Sequence, residues 1–188
     1  NEIMEGLSLQ LITYLLALSK TKDTKDLLPA AMMYIYLHGR PKSISVPPNG
    51  IPHAKEKENT NGIFLNDPDV LRTLDSQSGT DDGFIGVSYV KDGSVKKTSP
   101  VLTAEQFEAL KALTEKILIR LYSRLESGEI AIHPVKNGTL SPCSYCPYRS
   151  ICRFDPTLPE NSFDYISKVS DKTIREKLDE EMKRNGKE

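Results

Sequence analysis

No apolar run in the 188 residues approaches the roughly 20 needed to cross a bilayer. The N-terminus also lacks the basic, apolar and cleavage regions of a signal peptide. The formal net charge is only -1. Bulk electrostatics therefore gives no case for nucleic-acid binding, and such a claim must rest on local motifs and partner domains. No Gly-rich phosphate loop of the P-loop form occurs, which excludes ATP binding by that device. The three histidines, His38, His53 and His133, stand in unrelated contexts, so no Ser/His/Asp or Cys/His hydrolase reading gains support. Cysteine is scarce too: Cys143, Cys146 and Cys152 are the only three, and all fall within ten residues.

With 38% hydrophobic and 27% charged residues, the chain has material for one core of ordinary size. Leu7, Leu11, Tyr14, Leu15 and Leu18 recur at helical spacing, predicting one amphipathic helix over residues 4–20 that the polar run 21–26 ends. Residues 32–37 read as a buried strand, and residues 41–61 as a loop or loose strand pair. Asp67 followed by Pro68 is an N-cap with proline at the first helical position, predicting a short helix to Leu74. The Gly/Ser/Asp-rich run 76–83 predicts disorder.

Residues 84–89 and 95–98 predict a hairpin turned by Asp92 and Gly93. Thr103 with Gln106 forms a capping box, and Phe107, Leu110, Leu113, Ile117, Leu121 and Leu125 mark a long helix that stops near Gly128. Residues 156–161 read as a linker. Ser170 then caps a charged final helix with the stripe Ile174, Leu178 and Met182, whose last residues should fray.

Thiolate sulfur is a soft ligand, and Cys-x2-Cys folds two sulfurs over one centre, so the cysteines suit zinc or an iron-sulfur cluster. Either normally takes four ligands. The fourth would come from a non-cysteine residue, another chain, or further sequence. One plainer reading is zinc held by the three cysteines and His133, ten residues before Cys143, although His133 and Pro134 also read as a strand-end turn. Another is three buried small apolar residues, which leaves the ligand spacing unexplained. Thiols grouped as metal ligands point to a reducing cytoplasm.

The pattern Pro-Cys-x2-Cys-x-Tyr-x3-Cys-x-Phe-Asp, from Pro142 to Asp155, closely resembles the C-terminal cluster-binding segment of the B subunit of AddAB-type bacterial helicase-nucleases. The block Gly6, Leu7, Ser8, Leu9, Gln10 through Tyr14 to Leu18 is similar to the Gln-x3-Tyr helix of that family's nuclease domain. Residues 28–38 and 61–75 are similar to its intervening strand and short-helix segments, in the same order. A single-chain nuclease with four cysteines fits less well, because of the long insertion between strand and cysteines.

The resemblance implies an α/β fold: a partial PD-(D/E)XK, restriction-endonuclease-like nuclease fold with a C-terminal cysteine segment and flanking helices. Residues 1–165 would be the C-terminal part of the nuclease domain, and residues 166–188 a charged helix or tail. It implies that Cys143, Cys146 and Cys152 ligate a 4Fe-4S cluster whose fourth cysteine lies far upstream, stapling the domain's ends together. It also implies that Gln10 and Tyr14, one helical turn apart, lie beside the catalytic metal, contacting substrate phosphate or orienting the catalytic lysine.

The metal-binding acid and the strand-borne Asp/Glu-x-Lys precede that helix in the family, and only five residues precede Gly6 here. The chain alone is therefore expected to be inactive. Asp23 with Lys25 and Glu181 with Lys183 also spell Asp/Glu-x-Lys, but each is read as a solvated surface run. The implied parent enzyme is an ATP-dependent deoxyribonuclease, an exonuclease using Mg2+. It would act on double-stranded DNA ends and single-stranded DNA in recombinational repair, paired with an A-type partner chain, with ATP bound in the parent complex. The alternative is a non-catalytic nucleic-acid interaction module stabilised by zinc or an iron-sulfur cluster.

Overall fold

The computed structural model describes residues 2–24, 26–35, 60–80, 83–159, 161–166 and 169–185. His38, His53, residues 36–37 of the predicted strand and residues 41–59 of the predicted loop lie outside them. The chain divides into two compact units, Gln10–Lys111 and Asn1–Leu9 with Ala112–Glu188.

In the first unit, helix α1 (Gln10–Ser19) is shorter than its apolar periodicity predicts. Residues Glu2–Glu5, which belong to the other unit, form a separate 3-10 turn. This turn is closed by Gly6 N–H donating to the Ile3 carbonyl at 3.0 Å and Leu7 N–H donating to the Glu2 carbonyl at 2.8 Å. That is a helix-terminating pair with glycine in the left-handed region, φ 80° at Gly6. Ser8 is left-handed as well, φ 52°, its hydroxyl donating to Glu2 Oε2 at 2.7 Å. The predicted single helix is therefore broken at Gly6, and α1 begins afresh at Gln10. Its end matches expectation: the hydroxyls of Ser19, Thr21 and Thr24 donate to the carbonyls of Leu16, Ala17 and Leu18.

Strands β1 (Ala31–Tyr34), β2 (Asn61–Leu65) and β3 (Val101–Leu102) form one sheet in that order. β1 runs antiparallel to β2 with Ala31 opposite Phe64 and Tyr34 opposite Asn61. β3 runs parallel to β2, with Phe64 opposite Val101. A parallel neighbour needs a crossover, and helix α2 (Pro68–Leu74) with the turns after it supplies one. Asp67 caps α2 as expected, its Oδ1 accepting from Asp69 N–H at 2.9 Å and Val70 N–H at 3.2 Å. Phe64, Leu71, Ile85, Val87 and Val101 are buried together, with Met33, Leu74 and Tyr89 packed against them.

Disorder after α2 is not what the described residues show. The buried Asp75 carboxylate accepts N–H donors from Gln77 (3.0 Å), Phe84 (2.8 Å) and Ile85 (3.2 Å), tying both ends of the turn region to one side chain. Gly79, at φ 85°, lies under the Tyr89 ring, where an added Cβ would fall 2.4 Å from Cδ2. Ser78 Oγ and Tyr89 Oη are 2.9 Å apart.

The predicted hairpin is shortened to its turn and one rung beyond it, where Lys96 N–H donates to the Ser88 carbonyl at 2.8 Å. Val90 N–H donates to the Ser94 carbonyl at 2.8 Å, and only the single antiparallel bridge Tyr89 to Val95 forms. The reason is local, since Ser88 N–H is taken by Ser99 Oγ at 2.9 Å instead of a ladder partner.

Helix α3 (Ala104–Glu126) starts on the predicted capping box: Thr103 N–H donates to Gln106 Oε1 at 3.1 Å and Gln106 N–H to Thr103 Oγ1 at 3.2 Å. It stops as predicted at Gly128, whose N–H donates to the Leu125 carbonyl while Glu129 N–H donates to that of Arg124.

In the second unit, β4 (Val135–Asn137) and β5 (Asp164–Ile166) form a parallel pair that the sequence patterns do not reveal. Between them lie a 3-10 turn, Pro142–Ser144, and a single-turn helix α4 (Arg149–Cys152). Helix α5 (Asp171–Asn185) is capped by Ser170 Oγ, which accepts from Thr173 N–H at 3.2 Å. Glu181, expected on a solvated run, is buried and ion-paired with Lys116, because the Leu178 stripe of α5 is itself buried.

Candidate functional site

The fresh start of α1 puts Gln10 in its first turn and Tyr14 one turn later, so both side chains rise on one face. Gln10 Nε2 donates to Tyr14 Oη at 3.1 Å. Tyr14 is 58% exposed, so the pair faces outward rather than filling a core. With the phenol oxygen accepting from the amide, the phenolic hydrogen and the Gln10 carbonyl oxygen remain available to a ligand. That pairing suits donation to a phosphate oxygen.

The two Asp/Glu-x-Lys look-alikes lack the setting this chemistry needs. Asp23 lies in the turn after α1 and Glu181 on α5. Neither is carried by a strand.

The cysteine segment is built by local bonds. Ser141 Oγ accepts from Cys143 N–H at 3.3 Å, and Pro142 opens the 3-10 turn. Cys152 ends α4, and Arg153 follows in the left-handed region at φ 49°. All three cysteines are free thiols, with Cys143 and Cys146 half-buried and Cys152 exposed. Their donor chemistry suits a thiophilic centre. Among the described residues, however, no three His, Cys, Asp or Glu side chains come together to hold a metal. The structure thus brings Gln10 and Tyr14 together but does not bring the thiols into one coordination sphere. His133 lies just before β4, with Nδ1 3.2 Å from Ser162 Oγ.

The end of the segment is fastened by aromatic rings. Phe154 meets Phe163 edge-on with centroids 4.8 Å apart, Phe163 meets Tyr165 at 6.1 Å, and Lys136 Nζ lies 4.9 Å from the Phe163 centroid. Sequence reasoning missed this group. The alternation of Phe163 and Tyr165 about Asp164 was the available signal, a short one.

Electrostatics here is local. The Thr157 N–H, then its hydroxyl, hold the Asp155 carboxyl below the usual carboxylate range. Arg124 holds Glu129 low by hydrogen bonding and charge.

Helix α1, with its outward Gln/Tyr pair, packs against β1 of the small mixed sheet in one α/β unit. The chain belongs to the PD-(D/E)XK nuclease superfamily, whose profile matches residues 2–153. It is similar to the B subunit of the ATP-dependent helicase/deoxyribonuclease of Clostridium acetobutylicum, 30% identical with 100% of this chain and 17% of the relative covered. The protein of the same name from Clostridium kluyveri is 34% identical, covering 93% of this chain and 16% of the relative. That from Bacillus subtilis is 30% identical, covering 98% and 16%. The chain spans about one sixth of the length of these curated relatives. Among the described residues no helix is long and apolar enough to cross a membrane.

Proposed function

We propose that these residues form part of the nuclease domain of a helicase-nuclease B subunit. That protein is a cytoplasmic deoxyribonuclease that processes double-stranded DNA ends for recombinational repair, with an A-type partner chain and ATP. The observation that carries this reading is the exposed 3.1 Å pair of Gln10 and Tyr14 in a chain of the superfamily. In phosphodiester hydrolysis a divalent ion such as Mg2+ activates water and offsets developing charge. The part assigned to this chain is accessory. Tyr14, its oxygen held by the Gln10 amide, offers its hydrogen to a phosphate oxygen and fixes the strand's position. With no Asp/Glu-x-Lys carried on a strand among the described residues, the 188-residue chain by itself should not cleave linear DNA.

The same reading makes Cys143, Cys146 and Cys152 three of the four ligands of a 4Fe-4S cluster. The exposed Cys152 and half-buried partners sit on a segment secured by few buried groups, so turning the thiols toward one centre disturbs no core. Bound there, the cluster supplies a covalent tie, and ligand binding energy becomes folding energy. In the zinc-module alternative His133 would bind through Nε2, its Nδ1 lying by Ser162 Oγ, but among the described residues no three such ligands come together.

The test is made in the complete two-subunit enzyme. Gln10→Ala and Tyr14→Phe should lower the cleavage rate about 10-fold or more while leaving the thermal transition within a degree or two. Parallel loss of cleavage and folding would assign the pair a structural role instead. Separately, Cys152→Ser should bleach the cluster's visible absorption and weaken DNA-end binding; unchanged end binding in a bleached protein would remove the tie.

A further inference from the structure

The face of the β4–β5 pair sorts its side chains by chemistry. Successive residues of a strand point to opposite sides. Phe163, just before β5, and Tyr165 within it therefore share one side and Asp164 takes the other, while Lys136 stands in register with Tyr165. Lys136 Nζ lies 4.9 Å from the Phe163 centroid and 5.8 Å from that of Tyr165. Phe154 and Phe163 are half-buried and brace the group. Tyr165 is 70% exposed, so most of its ring is open to solvent.

The chain between Ile130 and Phe154 carries Lys136, Arg149 and Arg153 and no carboxylate. Among the described residues neither Arg149 nor Arg153 makes an ion pair. Of the nearest carboxylates, Asp164 lies on the other side of the strand, within the field of Arg124, and Asp155 is turned onto Thr157.

A braced aromatic ring open to solvent, with a cation against it and further unpaired cations on the adjoining segment, complements a base with its phosphate. We infer that the β4–β5 face is a single-strand binding platform, on which a nucleobase stacks on Tyr165 while Lys136 meets the adjoining phosphate. The ligand is single-stranded rather than duplex, because stacking on a side chain requires a base free of its own stack. The inference rests on the nucleic-acid reading above, but places contact at residues other than Gln10 and Tyr14.

The probe is a fluorescein-labelled oligothymidylate titrated with the 188-residue chain in EDTA at low salt, followed by anisotropy. Tyr165→Ala should weaken binding about 5- to 100-fold, the range for losing one stacked base. Tyr165→Phe should bind within about twofold of the parent. Tyr165→Leu, which keeps apolar bulk without an aromatic face, should follow the alanine variant and guards against a folding defect. Lys136→Gln should reduce the slope of log affinity against log salt by roughly 0.7, one phosphate contact on a single strand.

Undiminished binding by both Tyr165→Ala and Tyr165→Leu would overturn the platform, as would absence of binding by the parent chain. Equal capture of a duplex of the same length, insensitive to Tyr165, would do so too. Because the assay reads binding without cleavage, such failure leaves the nuclease reading to stand or fall on the Gln10 and Tyr14 variants.

Discussion

In the unit Gln10–Lys111, Phe64 and Leu71 are sealed from solvent with Ile85, Val87 and Val101 around them. From Ala112 onward the balance reverses: Ile119, Tyr122 and Leu125 face water on α3, and Ile130 is 91% exposed. Order there comes from a smaller apolar burial at Ile117 and Leu178, end caps, the Lys116–Glu181 ion pair and the rings of Phe154, Phe163 and Tyr165. One unit closes a sheet core by apolar burial, while the other buries less and leans more on polar and aromatic contacts. The second sort of region would gain most from an external tie, the role proposed above for its three cysteines.

The comparison breaks most visibly at Phe64. Phe64→Ala removes the fully buried centre of the sheet core and should cost about 3–5 kcal/mol, read as a fall in the urea midpoint of the chain. A loss below about 1 kcal/mol would mean that burial does not dominate that unit. The corresponding change in the other unit, Phe154→Ala, removes an edge-on pair with Phe163 and should cost only about 1 kcal/mol. Its effect should be local, so alkylation of Cys152 by iodoacetamide should quicken while the urea midpoint hardly moves. A large shift of the midpoint would show the ring group to be a core in its own right.

The same division governs what the sequence made legible. The Asp67 cap, the Thr103 and Gln106 box and the stop at Gly128 are decided by residues within a turn of one another, and each stands where its residues predict. The helix over 4–20 failed because apolar periodicity runs unbroken through Leu7 and Leu11 while Gly6 and Ser8 turn left-handed between. Residues 76–83 have a disordered composition, yet Asp75 reaches Phe84 and Ile85 across nine and ten positions, a contact that no local pattern encodes. Strands of three residues, as in β4 and β5, leave too short an alternation to read. At the candidate site the spacing of Gln10 and Tyr14 foretold their contact, because a helix fixes it. The cysteine spacing did not foretell where the thiols lie, because short turns held by local bonds do not fix side-chain direction as a helix does.

The smallest effect sharpens the comparison through pH. Asp155 closes the cysteine segment by accepting from Thr157 N–H at 2.9 Å and Thr157 Oγ1 at 2.7 Å, and these donors hold its carboxyl below the ordinary value of 3.8. A carboxyl whose pKa is lower in the folded chain stabilises the fold while ionised. That contribution is complete above the ordinary value and is lost as pH falls through the folded one. Since the group is solvent-exposed, the loss should be confined to its own turn. The Thr157 amide resonance should titrate with a midpoint below 3.8, its hydrogen exchange rising as the carboxyl protonates, while the amides of Phe64 and Leu71 keep their protection over the same range. Asp155→Asn should abolish the Thr157 titration at every pH. A Thr157 midpoint at or above the ordinary value would remove the turn from the account. Loss of protection at Phe64 in step with Thr157 would mean that the two units are one cooperative body, and the contrast between burial and local bonding would fail with it.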